Sequence, residues 1–205
     1  MPKRILKGGA MLAPVPAVMV SVGDGEEKNV LTVAWCGTLC TTPPKTYISV
    51  RPERFSYQMI KESGEFVINL PSADLVRAVD FCGMYTGAKV NKIEKCKFTL
   101  EEPSKVSVPI IGECPIALEC RVEKIVPLGS HDMFVADIVS VSVDERLLNR
   151  DGKMEIERAN LLAYAHGDYF ALGKRLGCFG FSSMKKNSQK KKNAAVQRNR
   201  KRRGG

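Results

Sequence analysis

The chain is poor in the residues and spacings that mark metal centres and hydrolytic triads. It has two histidines and one tryptophan in 205 residues, and its seven cysteines form no Cys-x-x-Cys pair. Cys36 and Cys40 stand four apart and Cys114 and Cys120 six apart, which excludes zinc-ribbon and iron–sulfur spacings, so no metal site is expected. An odd thiol count without scaffold density argues against a disulfide framework. It fits a reducing cytoplasm, where buried Cys acts as a small hydrophobe. A Gly-x-Gly-x-x-Gly fingerprint is missing, as are Ser–His–Asp and paired-carboxylate patterns, so neither a Rossmann nucleotide site nor acid–base hydrolysis is indicated. No apolar run approaches the roughly 20 residues a membrane helix needs. Lys3, Arg4 and Lys7 precede an apolar stretch as in a secretory leader, but Pro14 and Pro16 interrupt it, and residues 17–22 read as a first strand.

Charge is distributed unevenly along the chain. Residues 1–184 balance 22 Lys/Arg against 22 Asp/Glu, whereas 185–205 hold 10 Lys/Arg and no acid, so the whole net charge of +10 sits in the tail. With almost no apolar content, this tail is expected to be disordered. It reads as a solvated extension or as an electrostatic arm making nonspecific anionic contacts through Lys185 to Arg203. Without aromatic residues to stack on bases, nucleic-acid recognition is not expected. The remaining length suits one domain with an ordinary core, here 1–184, followed by the tail, 185–205.

The run from Arg51 to Pro71 carries the most chemistry. Before it, Thr46, Ile48 and Val50 alternate with Tyr47, Ser49 and Arg51 as in a strand. Phe55, Met59 and Ile60 then fall at helical spacing, Gly64 supplies a C-terminal stop, and Glu65 to Leu70 resumes a strand with Phe66, Ile68 and Leu70 on one side. Arg51, Arg54 and Ser56 therefore gather at a helix N-terminus, where unpaired backbone N–H groups favour an anion and guanidinium forks complete a phosphate cradle. The same residues also suit an exposed turn with solvated arginines.

Two neighbouring stretches add to this. In Asn29 to Cys36, bulky Leu31, Val33 and Trp35 alternate with Thr32, Ala34 and Cys36, which predicts one face in a core and a second, small-residue face on which a flat ring could lie. An ordinary sandwich strand gives the same pattern. Gly37 to Pro44 reads as a loop stiffened by paired prolines. Residues 72–82 read as a short helix capped by Ser72, with Leu75, Val76 and Val79 buried. Ile116, Leu118, Cys120 and Val122 predict a strand whose other face, including Glu119, is charged and outward. The following strand, 131–143, shifts its apolar register near Ile138, which predicts a bulge or cover on both sides.

The ordered blocks "NVLTVAWCGTL", "TYISVRPERFSYQMIKESGEFVINLP", "TGAKVNKIE", "IGECPIALEC", "LGSHDMFVADIVSV" and "YAHGDYFALGKRLG" resemble the flavin-reductase-like family, which includes flavoredoxins and NAD(P)H:flavin oxidoreductases. The resemblance spans about residues 10–182. It implies a mainly β chain folded as an antiparallel Greek-key split β-barrel with a few short helices, forming a homodimer that binds FMN. It further implies that Thr32, Val33, Ala34, Trp35 and Cys36 back the flavin ring and that Thr38, Cys40 and Thr41 touch the ring edge or ribityl chain. Arg51, Arg54 and Ser56 take the phosphate, with Thr86, Lys89 and Lys92 as further cofactor contacts unless they form a solvated basic loop. His131 is implied on the reaction face, near the nicotinamide; otherwise it is a surface residue at a strand start. Cys36 and Cys40 stand where the family often has Ser or Thr, and space-filling is the favoured reading of both.

The activity implied is an FMN-binding oxidoreductase passing electrons from NAD(P)H to a flavin, ferric or small-molecule acceptor. The alternative is a flavoredoxin-type carrier reduced by a protein partner. A third reading is a flavin-free binding module on the same barrel.

Overall fold

Period-two apolar patterns recur along the first 171 residues, and the chain is accordingly mainly β. The structure is a computed structural model that describes residues 1–25 and 27–183. Its strands are β1 (Val15–Pro16), β2 (Val18–Val22), β3 (Asn29–Val33), β4 (Cys36–Thr41), β5 (Pro44–Val50), β6 (Glu65–Leu70), β7 (Leu100–Glu101), β8 (Ile110–Ile111), β9 (Ile116–Pro127), β10 (Asp132–Val143), β11 (Leu162–Ala165) and β12 (Asp168–Ala171). The α-helices are α1 (Phe55–Ser63), α2 (Val76–Met84) and α3 (Lys92–Cys96).

Seven strands form one antiparallel sheet in the order β3-β2-β6-β9-β10-β5-β4. All seven contribute to a single core cluster, among them Val20 of β2, Leu31 of β3, Cys36 of β4, Ile48 of β5, Phe66 of β6, Cys120 of β9 and Phe134 of β10. A flat sheet cannot bring both its edges to one core. The sheet curls into an open barrel instead, and the Ser49 N–H donates to the Trp35 carbonyl at 2.8 Å where its ends approach. Removing each large core side chain from water contributes about 1.5–3 kcal/mol. A second cluster, with Met19, Val30 and Val79 fully buried, packs α2 across β2 and β3. This is the mainly β, split-barrel architecture the resemblance implies.

Residues 46–70 fold as their periodicity requires. Thr46, Ile48 and Val50 are buried, Phe66 and Ile68 enter the core, and Gly64 ends α1 in the left-handed region at φ 67°, its N–H donating to the Ile60 carbonyl. The bulge expected in 131–143 is present as register shifts against β9 between Val135 and Ala136 and between Ile138 and Ser140.

Four expectations are corrected. The run 29–36 is not one strand: it breaks at Ala34 and Trp35, which reverses the parity, so that Cys36 turns into the core. Residues 37–41 are not a loop but strand β4, paired with β5 around a tight turn at Thr42 and Pro43. Ser72 makes no side-chain cap; a 3₁₀ turn, Ala73–Leu75, follows it and α2 begins at Val76. Glu119 is not solvent-facing but fully buried, because residues 104–106 cross over it and donate their backbone N–H groups to its carboxylate at 2.6–3.2 Å.

The chain divides into a compact unit, Met1–Leu172, and a second beginning at Gly173, whose described residues, 173–183, hold one 3₁₀ turn, Phe181–Ser183. The expected basic tail, 185–205, lies outside the described residues. Among the described residues no helix is long and apolar enough to cross a membrane.

Candidate functional site

Because β3 is an edge strand, one row of its backbone groups has no sheet partner. That row opens on a cleft of about 410 Å³ whose floor includes Thr32, Val33, Ala34 and Trp35. Ser49, Arg51 and His131 come to the same cleft from β5 and the β9–β10 turn, and Tyr164, Gly167 and Tyr169 form a wall from β11 and β12. The two tyrosine rings meet edge to face with centroids 5.5 Å apart. Tyr169 donates its hydroxyl to Asp80 at 3.2 Å, and burial first, then the Asp80 charge, pushes the phenol up to about 12. His131 closes the hairpin between β9 and β10: its carbonyl accepts from the Leu128 N–H at 3.0 Å, and its Nδ1 lies 3.0 Å from the Ser130 hydroxyl.

A smaller cleft of about 250 Å³ continues from the first, the two sharing Leu31, Thr32, Arg51, Arg54 and Gly83. It sits at the start of α1, where Arg54 is the N-cap residue without a side-chain cap bond and no acid occupies the first turn. Arg51, Arg54, Ser56, Thr86 and Lys92 all line it. Arg54 is held by a 3.2 Å bond to the Gly83 carbonyl, and Arg51 pairs with Glu53 at 3.1 Å. Ser56 is buried and its Oγ accepts from the Asn29 amide at 2.7 Å. Lys92 is also buried, its Nζ donating to the Val30 and Cys82 carbonyls at 2.6 and 2.9 Å. An ammonium has three donors, so one remains. Burial pushes this Lys below its ordinary pKa, with Arg54 adding to the effect, and an anion in the cleft would act against that shift.

Gly87 also lines this cleft. A Cβ there would stand 2.6 Å from atoms of both Asn29 and Phe55, so no larger residue fits without displacing the Asn29–Ser56 pair.

The expected site residues thus divide. Thr32, Val33, Ala34, Trp35, Arg51, Arg54, Ser56, Thr86, Lys92 and His131 come together along one continuous channel. Cys36 does not: its thiol packs in the barrel core, and burial raises it to about 12. Thr38, Cys40 and Thr41 lie on β4 outside both clefts, and Lys89 is exposed outside them. Among the described residues no group of three or more His, Cys, Asp or Glu could hold a metal ion. Asn29, Asp80, Gly83, Tyr164 and Tyr169 are site residues that sequence reasoning missed. A polar Asn heading an apolar strand was a usable signal; for Asp80 and the tyrosines, spacing offered none.

The donor set fits a flat, phosphorylated cofactor. The larger cleft offers an edge-strand backbone and aromatic walls, the smaller one three cations against the single carboxylate of Glu53, itself already paired.

A family model for the flavin reductase like domain matches residues 11–173. An uncharacterized protein of Archaeoglobus fulgidus is 38% identical over 149 residues, 73% of this chain and 83% of that protein. Among solved structures, a flavoredoxin of Desulfovibrio vulgaris (Miyazaki F) matches with a TM-score of 0.83 at 29% identity, covering 89% of this chain and 100% of that one. An FMN-binding domain of a flavin reductases-like enzyme from Shewanella baltica matches with a TM-score of 0.68 at 25% identity, covering 80% and 88%.

Proposed function

The chain belongs to the flavin reductase like domain family, and from that premise we propose that it is an FMN-binding oxidoreductase taking electrons from NAD(P)H and passing them to a flavin, ferric or small-molecule acceptor. The observation that carries this reading is the continuity of the two clefts: a ring-sized space on an edge strand opens, through Arg51 and Arg54, into a cation-lined pocket at a helix start. Bound there, FMN would supply the hydride and electron chemistry that no side chain of the protein offers.

The protein's own groups bind, orient and shield. The α1 N–H groups, Arg51, Arg54 and the remaining Lys92 donor hold the phosphate, and Ser56, fixed by Asn29, presents its hydroxyl to the same pocket. Backbone groups from Thr32 to Trp35 back the ring, and the Tyr164–Tyr169 wall limits water on one side. His131 stands at the mouth, where a neutral imidazole can hydrogen-bond the carboxamide of an incoming nicotinamide. The homodimer and the cytoplasmic location are part of this proposal, the first to be checked by sedimentation equilibrium of the purified chain.

A second reading, an electron carrier reduced by a protein partner, is favoured by the likeness to flavoredoxin over the full length of that protein. Anaerobic mixing of the FMN-loaded chain with NADH and then NADPH separates the two. Rapid bleaching of the flavin absorption supports the oxidoreductase; a flavin that bleaches with dithionite but with neither nicotinamide supports the carrier.

A further inference from the structure

Helices α2 and α3 meet through two cysteines that the proposed reaction does not use. Cys82 is buried in the cluster that packs α2 across β2 and β3, and half-buried Cys96 packs against the same cluster. The two side chains are in contact, Cys82 donating and Cys96 accepting. They face different spaces: Cys82 lines the smaller, cation-lined cleft, whereas Cys96 lines an open groove of about 970 Å³ between α2 and α3. Lys92, one helical turn before Cys96, donates to the Cys82 carbonyl at 2.9 Å and stands at the same junction. Burial, foremost, pushes the Cys82 thiol up to about 12. It raises Cys96 as well, but there the bond from Cys82 and the charge of Lys92 work against it. Ionisation therefore falls first on Cys96, the thiol that a small solute reaches from the groove.

We propose that Cys82 and Cys96 form a reversible disulfide site whose oxidant is hydrogen peroxide. In the first step the Cys96 thiolate attacks one peroxide oxygen. The O–O bond breaks, the other oxygen takes up a proton and leaves as water, and Cys96 becomes a sulfenic acid. In the second step the Cys82 sulfur attacks the Cys96 sulfur, the S–O bond breaks, and the hydroxyl leaves as water with the Cys82 proton. Two thiols have then lost two electrons and two protons, and one peroxide has become two waters. A dithiol reductant reverses the change, and transient, redox-sensing disulfides are the kind a reducing compartment permits. Cys114 shares the buried cluster but lines neither the cleft nor the groove, so it is not the reachable partner. The bridge ties the chain on both sides of residues 83–95, the segment that brings Thr86, Gly87 and Lys92 to the smaller cleft, and so slows the opening of that wall. This consequence rests on the FMN reading; the bridge itself does not.

The test treats the full chain, wild type and Cys96→Ser, with hydrogen peroxide and follows non-reducing peptide mass spectrometry, thermal unfolding and FMN release. Wild type should yield a linked Cys82–Cys96 peptide that dithiothreitol removes. Its thermal midpoint should rise by about 5 °C over the reduced protein, because a short loop has been closed. Loaded with FMN, the oxidised wild type should release it about threefold more slowly than the reduced protein. Cys96→Ser should show none of these changes. Three results overturn the site: both thiols still free once half-buried Cys40 and Cys178 are oxidised, Cys96 carried to a sulfinic acid with Cys82 intact, or Cys82 linked to Cys114 instead. A bridge that forms with FMN release unchanged overturns its hold on the cleft. A bridge that forms in a chain binding no FMN overturns the cofactor reading and leaves the dithiol site standing.

Discussion

Replacing Arg51 by Ala isolates the phosphate part of the site. Arg51 is half-exposed at the junction of the two clefts and bonded only to Glu53, so truncation leaves no buried group unpaired. A charge-assisted hydrogen bond from a guanidinium to phosphate is worth about 1.5–3 kcal/mol. Solvent screening and competition from Glu53 at 3.1 Å place Arg51 near the lower end, and about 1.4 kcal/mol corresponds to a tenfold weaker FMN complex. Exposed ion pairs contribute little to folding, so the thermal midpoint should stay within about 2 °C of wild type. Ser56→Ala is a less selective probe, because it also removes the acceptor of the buried Asn29 amide. The assay is titration of the apoprotein followed by quenching of flavin fluorescence, with FMN and riboflavin in parallel. Riboflavin lacks the phosphate, so its affinity should not change. An unaltered FMN affinity, or an equal loss for FMN and riboflavin, would refute the phosphate assignment.

Other perturbations read different parts of the structure. His131→Ala should slow flavin reduction by nicotinamide several-fold while FMN affinity stays within about twofold; intact turnover in stopped flow would make His131 a plain surface residue. Burial alone would raise the pKa of Glu119, but the N–H groups of Ser104, Lys105 and Val106 and the Ser104 hydroxyl outweigh it and hold the carboxyl below its ordinary 4.5. A depressed folded pKa means stability that is present above the unfolded value and lost as pH falls through the folded one. Glu119→Gln, which turns an NH₂ toward backbone donors, should cost roughly 1–3 kcal/mol in urea unfolding near neutrality and flatten the acid dependence; an unchanged midpoint would contradict the clamp. Burial pushes the Cys36 and Cys120 thiols up to about 12, so native-state alkylation followed by peptide mass spectrometry should label half-buried Cys40 well before either. Equal labelling would mean that Cys36 is not packed in the core.

The segment from Thr46 to Leu70 was legible because each step depends on neighbours in the chain: alternation made the strands, helical spacing made α1, and Gly64 ended it. Arg51, Arg54 and Ser56 followed from that local geometry. Residues 29–41 were misread where a long-range contact decides the backbone. Nothing local marks the break at Ala34 and Trp35, which is held by the Ser49 N–H on β5, and that break sends Cys36 rather than Trp35 inward. Glu119 was placed outside because alternation assigns a face but cannot tell whether another segment covers it. Lys89 and Lys92 look alike in sequence, yet the α3 turn exposes one and buries the other beneath two carbonyls. Asp80, Tyr164 and Tyr169 escaped notice for a related reason. They reach the cleft from α2 and from a separate three-stranded sheet, β1-β11-β12, and only the packing of these elements against β2 and β3 brings them together.

The central claim, that this chain holds FMN along the joined clefts, is tested most directly by the visible absorption spectrum of the purified full chain incubated with FMN and freed of unbound flavin by gel filtration. The account predicts a flavin band that elutes with the protein at one FMN per chain and falls away in the Arg51→Ala/Arg54→Ala variant. A wild-type protein that elutes without flavin, or a variant that keeps the full complement, would contradict it.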